Sequence, residues 1–379
     1  MTQVVAILGS TGSVGTQALD VCRRLPIRVD ALSCGKDIVT AEKQIREFSP
    51  RLVAVADETA ANDLAVRVAD LPVRILSGRE AAARLAEETD ADTVVNAVSG
   101  IAGLRPTLST LRAGKRLALA NKESLVTYGT AVMEEARKRG LPILPVDSEH
   151  SAIFQCLTGQ PVKTILLTAS GGPFFGKNRE ELSGITPADA LAHPTWKMGS
   201  RITVDSATMM NKGFEVIEAV HLFGVTPEQV KVVVHRESII HSMVEYIDNA
   251  VMAQMSRPDM RLCVQYALTY PERAEAVIPP LELTALSGLT FHEPDGESFP
   301  LLPLAYEAIH RGGVCPAAMN GADEEAVALF LGGRIGFTAL SDLVSEVTLS
   351  MPSMPSPTLT DVEEADREAR RLVRDKALS

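Results

Sequence analysis

The sequence predicts an α/β protein: a doubly wound parallel sheet first, an α+β segment next, and a small helical domain last. Three observations carry this. From residue 4 to about 147, short apolar β-rich runs alternate with segments of helical period. After residue 147 the texture changes to stretches rich in glycine, histidine and methionine between fewer strand candidates. Beyond residue 300 the apolar spacing is helical throughout.

The apolar runs of the first part are VVAIL, RVDALS, RLVAVA, VRIL, TVVNAV, RLALA and PILPV. Runs of this length, apolar on both faces, suit strands covered by helices on each side, and TAEKQIREF and GTAVMEEARKRG between them have the helical period. Residues 1–147 therefore read as one doubly wound, Rossmann-like domain. KTILLTAS, KVVVH and SMVEYIDNAVMAQM supply strand candidates for a second domain over 148–270, which holds most of the chemistry-bearing residues. Proline and charge without sustained period mark 271–300 as a linker.

The third unit, 301–379, contains PLAYEAIHRG, DEEAVALFLGG and ALSDLVSEVTLS. In its last helix Thr360 and Glu363 stand in capping-box register, and Val362, Ala365, Ala369, Leu372 and Val373 share one face.

Length and composition agree with several globular domains. At 379 residues, with 46% hydrophobic and 22% charged residues, the chain exceeds a single ordinary core and is neither disordered nor membrane-like in balance. A net charge of −11 argues against a nucleic-acid backbone as main partner, while a small anion remains compatible with a locally basic pocket. The start MTQVVAILGSTG runs directly into a glycine turn with no basic leader, and no apolar run reaches spanning length, so a cytoplasmic protein is expected. Five cysteines without CxxC spacing indicate reduced, buried thiols.

Between VVAIL and the helix TQALDVCRRL lies GSTGSVG, with Gly9, Gly12 and Gly15. Glycine permits the tight turn and the close approach of backbone N–H groups to a pyrophosphate at a helix N-terminus. The spacing is GxxGxxG, and its place at the head of a βαβ series points to a dinucleotide. Cofactor choice is read at the end of the second strand, LSCGKD. Lys36 favours NADP, whereas Asp37 beside it repels a 2′-phosphate unless it turns away. In NKES, Lys122 follows the strand RLALA at the carboxyl edge, where ligands collect.

PVDSEHS places Asp147 and Glu149 two residues apart. Read as extended chain, that spacing sends both carboxylates to one face, where a cation relieves their repulsion. Oxygen ligands without cysteine suit Mg²⁺ or Mn²⁺. A third carboxylate is offered by MMNKGFEVIEAVHLF, in which Glu215 and Glu218 stand at i and i+3 on a helix, one available to a metal and the other behind it. Asn211 and Lys212, just upstream, suit a phosphate or a sugar hydroxyl. ASGGPFFG offers Ser170 and flexible glycines as a phosphate cradle or lid hinge. HPTWKMG, with His193, Trp196 and Gly199, reads as a loop closing over a ligand, and ITVDSATMMN supplies Ser206. His221, His235 and His241 lie in apolar segments without metal-ligand spacing and are read as structural.

Taken in order, GSTGSVG, NKES, VDSEHSAIFQ, SGGPF, HPTWKMG and DSATMMNKGFE resemble the 1-deoxy-D-xylulose 5-phosphate reductoisomerases over roughly residues 4–270. The resemblance implies isomerisation of the ketose phosphate to a branched aldehyde, then reduction by NADPH to 2-C-methyl-D-erythritol 4-phosphate, an early step toward isoprenoid precursors. It implies that Asp147, Glu149 and Glu215 hold Mg²⁺ or Mn²⁺, selecting Glu215 over Glu218, and that these acids, Lys122 and His193 form the catalytic group. Ser148, Glu149, Ser170, His193, Trp196, Ser206, Asn211, Lys212 and Glu215 would contact substrate, and about 170–200 would be a lid. Thr11, Gly12, Ser13, Val14, Gly35, Lys36, Asp37, Asn121, Lys122, Glu123 and Gly199 would contact NADPH. A homodimer is implied as well. The chain departs from the family's commoner pattern at Asp37 and in NGADEEAV at 320–327.

Two other classes fit parts of the sequence. An ordinary NADP-dependent dehydrogenase with a nucleophilic cysteine would use Cys156. A non-catalytic cofactor-sensing module would bind NADPH without turnover, and leaves the carboxylates without a purpose.

Overall fold

The structure is a computed structural model and describes residues 3–192, 196 and 198–378. The seven apolar runs of the first part all become strands: β1 (Gln3–Leu8), β2 (Ile27–Cys34), β3 (Leu52–Val55), β4 (Arg74–Ser77), β5 (Thr93–Asn96), β6 (Arg116–Leu119) and β7 (Ile143–Pro145). They form one parallel sheet in the order β4-β3-β2-β1-β5-β6-β7. Ala6, Leu8, Ala31, Leu52, Ala54 and Val94 are buried in it, as expected of strands covered on both faces.

The chain order turns at the β1/β5 pair, which makes the crevice beyond their carboxyl ends the ligand position of this topology. Helix Ser13–Arg24 follows β1. It buries Ala18, Leu19, Val21 and Cys22, and ends on Arg23 and Arg24, cations that suit the negative end of its dipole.

The chain divides into two compact units, not at the boundaries the sequence suggested. The first takes residues 1–124, 130–151 and 259–279; the second takes 125–129, 152–258 and 280–379. The segment 259–279, expected partly in the catalytic domain and partly in the linker, belongs to the first unit because its bonds go there. Gln3 donates to the carbonyl of Leu268, Arg261 pairs with Asp20 at 2.8 Å, and Arg116 donates to the carbonyl of Tyr270. These partners are far apart in sequence, so no local pattern announces them.

In the second unit β8 (Val162–Ala169) lies parallel to β9 (Val230–Val234) and antiparallel to β10 (Ile240–Tyr246), which pairs in a hairpin with β11 (Val251–Met255). SMVEYIDNAVMAQM is thus two strands and their turn. The C-terminal part is helical, as the sequence led us to expect, and its helices Leu301–Arg311, Cys315–Leu331, Phe337–Ser350 and Leu359–Ala377 fall in the second compact unit. Leu304, Ala318, Phe330, Phe337 and Leu340 share one core with Ile165 and Leu167 of β8 and with Phe214 and Ile217 of helix Met210–Phe223. At Gly213 an added Cβ would stand 2.8 Å from that of Ala305, so glycine admits the close crossing of two helices.

The last helix begins earlier than expected. Thr358 and Asp361 make the capping box, and the N–H of Val362 bonds to the carbonyl of Thr358. Both threonines offer the right spacing, and the earlier one adds half a turn while leaving Val362, Ala365, Ala369 and Val373 buried.

Candidate active site

Beyond β1 the glycine turn is held from two sides. The N–H of Gly9 donates to the Ser33 hydroxyl at 3.0 Å, and the Ser10 hydroxyl donates to Gln44, which is buried. The glycines differ in purpose. Gly9 has φ +76°, and an added Cβ would lie 2.4 Å from the carbonyl oxygen of Ala97, just past β5. At Gly15 a Cβ would strike the Gly9 carbonyl at 2.2 Å, so helix Ser13–Arg24 packs directly on the turn. Gly12 caps that helix without a side chain, leaving Thr11, Gly12, Ser13 and Val14 at an open helix N-terminus.

At the end of β2, Gly35, Lys36 and Asp37 are exposed. Asp37 is the N-cap of helix Ile38–Phe48: its carboxylate accepts the Thr40 N–H at 3.0 Å, and hydrogen bonds from the Thr40 side chain first and its backbone second hold the carboxyl below the usual carboxylate range. Lys36 lies 3.6 Å from Asp57.

After β6, Asn121 is buried and its amide donates to the carbonyls of Val98 at 2.8 Å and Gly100 at 2.9 Å. Glu123 accepts the N–H of Gly100. Both side chains therefore fix the loop that leaves β5, and an added Cβ at Gly103 would collide with the Asn121 amide. Lys122, between them, forms an ion pair with Asp147.

Asp147 does not lie on extended chain with Glu149, as the two-residue spacing suggested. It opens the helix Ser148–Cys156: its carboxylate accepts the N–H groups of Glu149 and His150 at 3.1 Å each, and its carbonyl accepts that of Ser151. Aspartate is a strong helix cap, and that local preference overrides the strand reading. The His150 ring, fully buried, sits 3.0 Å from the same carboxylate. Burial alone would raise the Asp147 pKa; the Lys122 ammonium and the His150 ring outweigh it and hold the carboxyl well below its ordinary value. Ser148 hydrogen-bonds the Glu149 carboxylate. Cys263, buried nearby, has its thiol driven up by burial and by the charges of Asp147 and Glu149, so it remains a thiol and is unsuited as a thiolate ligand.

In the second unit, helix Met210–Phe223 starts from Met209, whose φ of +65° is rare for a side chain of that size. Asn211, Lys212 and Glu215 follow within the first two turns. Lys212 and Glu215 are buried, with Lys212 Nζ 2.5 Å from Glu215 Oε2, and the Asn211 amide donates to the other oxygen at 2.6 Å. Glu218 is buried one turn on. Met209 and Met210 lie in the core.

Ser170 follows β8, and its hydroxyl accepts the Gly172 N–H at 3.3 Å. Gly171 and Gly172 have φ of +75° and +65°. An added Cβ at Gly172 would lie 2.6 Å from the Ser206 carbonyl oxygen, so the glycine loop rests on the helix Ser200–Ala207 that carries Ser206. Gly199 caps that helix and is exposed. The Trp196 ring is 6.4 Å from that of His241. His193 lies outside the described residues.

Sequence reasoning missed His150 and Arg236. His150 was visible as the third residue after Asp147, the position a capped first turn brings back to the cap. Arg236 had no sequence signal, because its partners lie more than sixty residues upstream.

Comparison with known proteins decides the family. Residues 5–129 match the family described as 1-deoxy-D-xylulose 5-phosphate reductoisomerase, residues 143–223 its C-terminal domain, and residues 255–372 a further DXP reductoisomerase C-terminal domain. The chain belongs to the 1-deoxy-D-xylulose 5-phosphate reductoisomerase family. A reductoisomerase of Ruminiclostridium cellulolyticum is 48% identical over 377 residues, covering 99% of each chain, and one of Desulfitobacterium hafniense is 50% identical over 370 residues, covering 97% of each. Among solved structures, the Zymomonas mobilis reductoisomerase in complex with NADPH superposes with a TM-score of 0.93 at 40% identity over all of both chains. A reductoisomerase bound to NADPH, fosmidomycin and magnesium superposes at 0.94 with 38% identity, over 99% of this chain and 98% of that one. The α/β architecture expected from the sequence is that of these reductoisomerases.

Proposed function

We propose that this protein converts 1-deoxy-D-xylulose 5-phosphate to 2-C-methyl-D-erythritol 4-phosphate, isomerising the ketose phosphate and reducing the branched aldehyde with NADPH. One observation carries the reading: identity near one half to reductoisomerases over nearly the whole length of both chains. Asp147, Glu149 and Glu215 are assigned as ligands of Mg²⁺ or Mn²⁺. The donor set fits a hard divalent cation, being three carboxylates with no thiolate. Asp147 and Glu215 each already hold a cationic side chain, Lys122 and Lys212, as carboxylates built to meet positive charge do. When bound, the metal supplies Lewis-acid polarisation of the substrate's carbonyl and hydroxyl oxygens.

The remaining work falls to side chains. Ser170, Ser206, Asn211 and Lys212 are assigned to the phosphate end, where hydroxyl and amide donors and one ammonium match its oxygens. Ser148, Glu149 and Glu215 hold the substrate's oxygens, and Lys122, bridging cofactor and acid, orients the reacting carbon. His193 and Trp196 close over the substrate and limit water, with about 170–200 as the lid. Thr11, Gly12, Ser13 and Val14 take the pyrophosphate, supported by the open helix N-terminus. Gly35, Lys36 and Asp37 flank the 2′-phosphate, Asn121 and Glu123 shape the nicotinamide side through the loop they hold, and Gly199 completes the cofactor contacts.

The deciding experiment follows NADPH absorbance with 1-deoxy-D-xylulose 5-phosphate, with and without Mg²⁺ or Mn²⁺, and repeats it with NADH. Metal-dependent oxidation of NADPH is expected; no oxidation with either metal would sink the reading.

The thiol dehydrogenase alternative is disfavoured by Cys156, which is buried and pushed up to about 11 by that burial. A homodimer is supported by β11, an edge strand whose Val251 and Met252 are about half exposed, a surface that a second copy would cover. Sedimentation at micromolar concentration tests it: a monomer would refute it. No helix among the described residues is long and apolar enough to cross a membrane; a cytoplasmic location is proposed and is tested by fractionation.

A further inference from the structure

We propose that Arg236 is a positioning residue for substrate phosphate, setting the Ser170 loop against the Ser206 helix through two backbone carbonyls; the proposal rests on the assignment of those serines above. Parallel strands end side by side, and the register Ala169↔Val234 brings the ends of β8 and β9 together. The His235 N–H donates to the Ala169 carbonyl at 2.7 Å, so the next residue on each strand begins a loop beside its neighbour. On β8 that loop is Ser170-Gly171-Gly172; on β9 it is Arg236.

Arg236 Nη1 donates to the carbonyl of Ser170 at 2.9 Å and to that of Gly172 at 2.7 Å, one hydrogen for each. Its guanidinium lies over the Phe175 ring at 5.1 Å, near the far end of the same loop. The loop needs such a hold. Two consecutive glycines in the left-handed region have little conformational preference of their own, so their geometry is imposed from outside. On one side Gly171 rests on Val234, 2.9 Å from where its Cβ would be; on the other Gly172 rests on the Ser206 backbone. Arg236 closes this sandwich and thereby fixes the spacing of the two hydroxyls.

There is an electrostatic consequence. Carbonyl oxygens repel a phosphate, and turning two of them onto a guanidinium keeps them off the anion while Ser170 remains beside it. Arg236 touches no reacting atom in this scheme. It acts through Ser170 and Gly172, so its effect belongs to phosphate binding rather than to hydride transfer or metal binding.

The test compares Arg236→Met, Arg236→Lys and Ser170→Ala in the full-length enzyme with NADPH and Mg²⁺. It reads KM for 1-deoxy-D-xylulose 5-phosphate, kcat, the inhibition constant of inorganic phosphate, and the Kd of NADPH as a check on folding. Arg236→Met is expected to raise KM and the phosphate constant about tenfold, with kcat within about threefold and NADPH binding unchanged. Arg236→Lys, which keeps a donor for the carbonyls but loses the planar stack, recovers at least half of the lost affinity on a logarithmic scale. If Ser170→Ala weakens substrate and phosphate while Arg236→Met does not, the proposal is overturned. If Ser170→Ala has no effect, the serine assignment fails and the proposal falls with it. Equal damage to kcat, KM and NADPH binding in both Arg236 variants would show a merely structural role and also overturn it.

Discussion

Lys212 Nζ stands 2.5 Å from Glu215 Oε2, one helical turn apart and both buried. A buried ammonium and carboxylate at that distance depend on each other: removing either charge leaves the other desolvated and uncompensated, at a cost of about 3–5 kcal/mol. Glu215 therefore has two partners to satisfy, its lysine in the free protein and, on the proposed reading, a divalent cation.

Glu215→Gln should lose metal-dependent turnover by about a hundredfold or more and weaken the apparent affinity for Mg²⁺ or Mn²⁺, while NADPH still binds. It should also melt earlier than the parent, because Lys212 loses its counter-charge. Glu218→Gln, one turn on, should keep its metal dependence. The two variants are compared by activity across a metal titration, NADPH fluorescence and Tm. If Glu218→Gln were the one to lose the metal response, the ligand assignment within this helix would be wrong.

Cys156→Ala should leave kcat and KM within about twofold of the parent. The thiol is buried in the core and burial pushes it up to about 11, so essentially none is thiolate at neutral pH. A steady-state assay suffices, and an activity loss of a hundredfold without loss of folded protein would revive the thiol mechanism.

The sequence made the first sheet legible because parallel strands buried on both faces are near-continuous apolar runs, and every run became a strand. The glycine turn was legible because Gly9 and Gly15 each answer a local collision. What was not legible depended on distant partners. Helix Arg261–Thr269 joins the first unit through Gln3, Asp20 and Arg116, none of which any periodicity links to it. The C-terminal helices were legible as helices, but not that their apolar faces complete the core around β8 and Phe214. In the site, Asp147 and Glu149 were identified as a pair, but the helix that Asp147 caps was missed, since a two-residue spacing fits a strand and a first turn equally well. Asp37 was ambiguous for a related reason: its charge was visible and its direction was not.

That direction makes a prediction about cofactor choice. The Asp37 carboxylate is committed to the Thr40 N–H at a helix N-terminus, where the dipole partly offsets its charge. Asp37→Asn, which caps nearly as well, should change the KM for NADPH by less than about twofold and leave Tm unaltered. Lys36→Ala should raise the KM for NADPH about fivefold with little effect on NADH, since only the 2′-phosphate distinguishes them. A severalfold tightening of NADPH in Asp37→Asn would mean that the carboxylate faces the phosphate.

His221 predicts how stability depends on pH. Its ring packs against Gly129, where an added Cβ would fall 2.3 Å from it, and burial pushes its pKa from 6.5 down to about 4. A place in the last turn of helix Met210–Phe223 favours the charged ring, but burial prevails. A histidine depressed in the folded state contributes nothing unfavourable above pH 6.5, where neither state is protonated. As pH falls from 6.5 toward 4 the unfolded chain binds a proton that the folded chain refuses, so stability drops, by roughly 2 kcal/mol at pH 5. Below about pH 4 both states are protonated and the loss levels off. His221→Gln removes the titrating group, so the stability difference between parent and variant should shift in the variant's favour by about that amount between pH 7 and pH 5. Urea unfolding at the two pH values measures it, and a difference that does not change with pH would place the ring in contact with water.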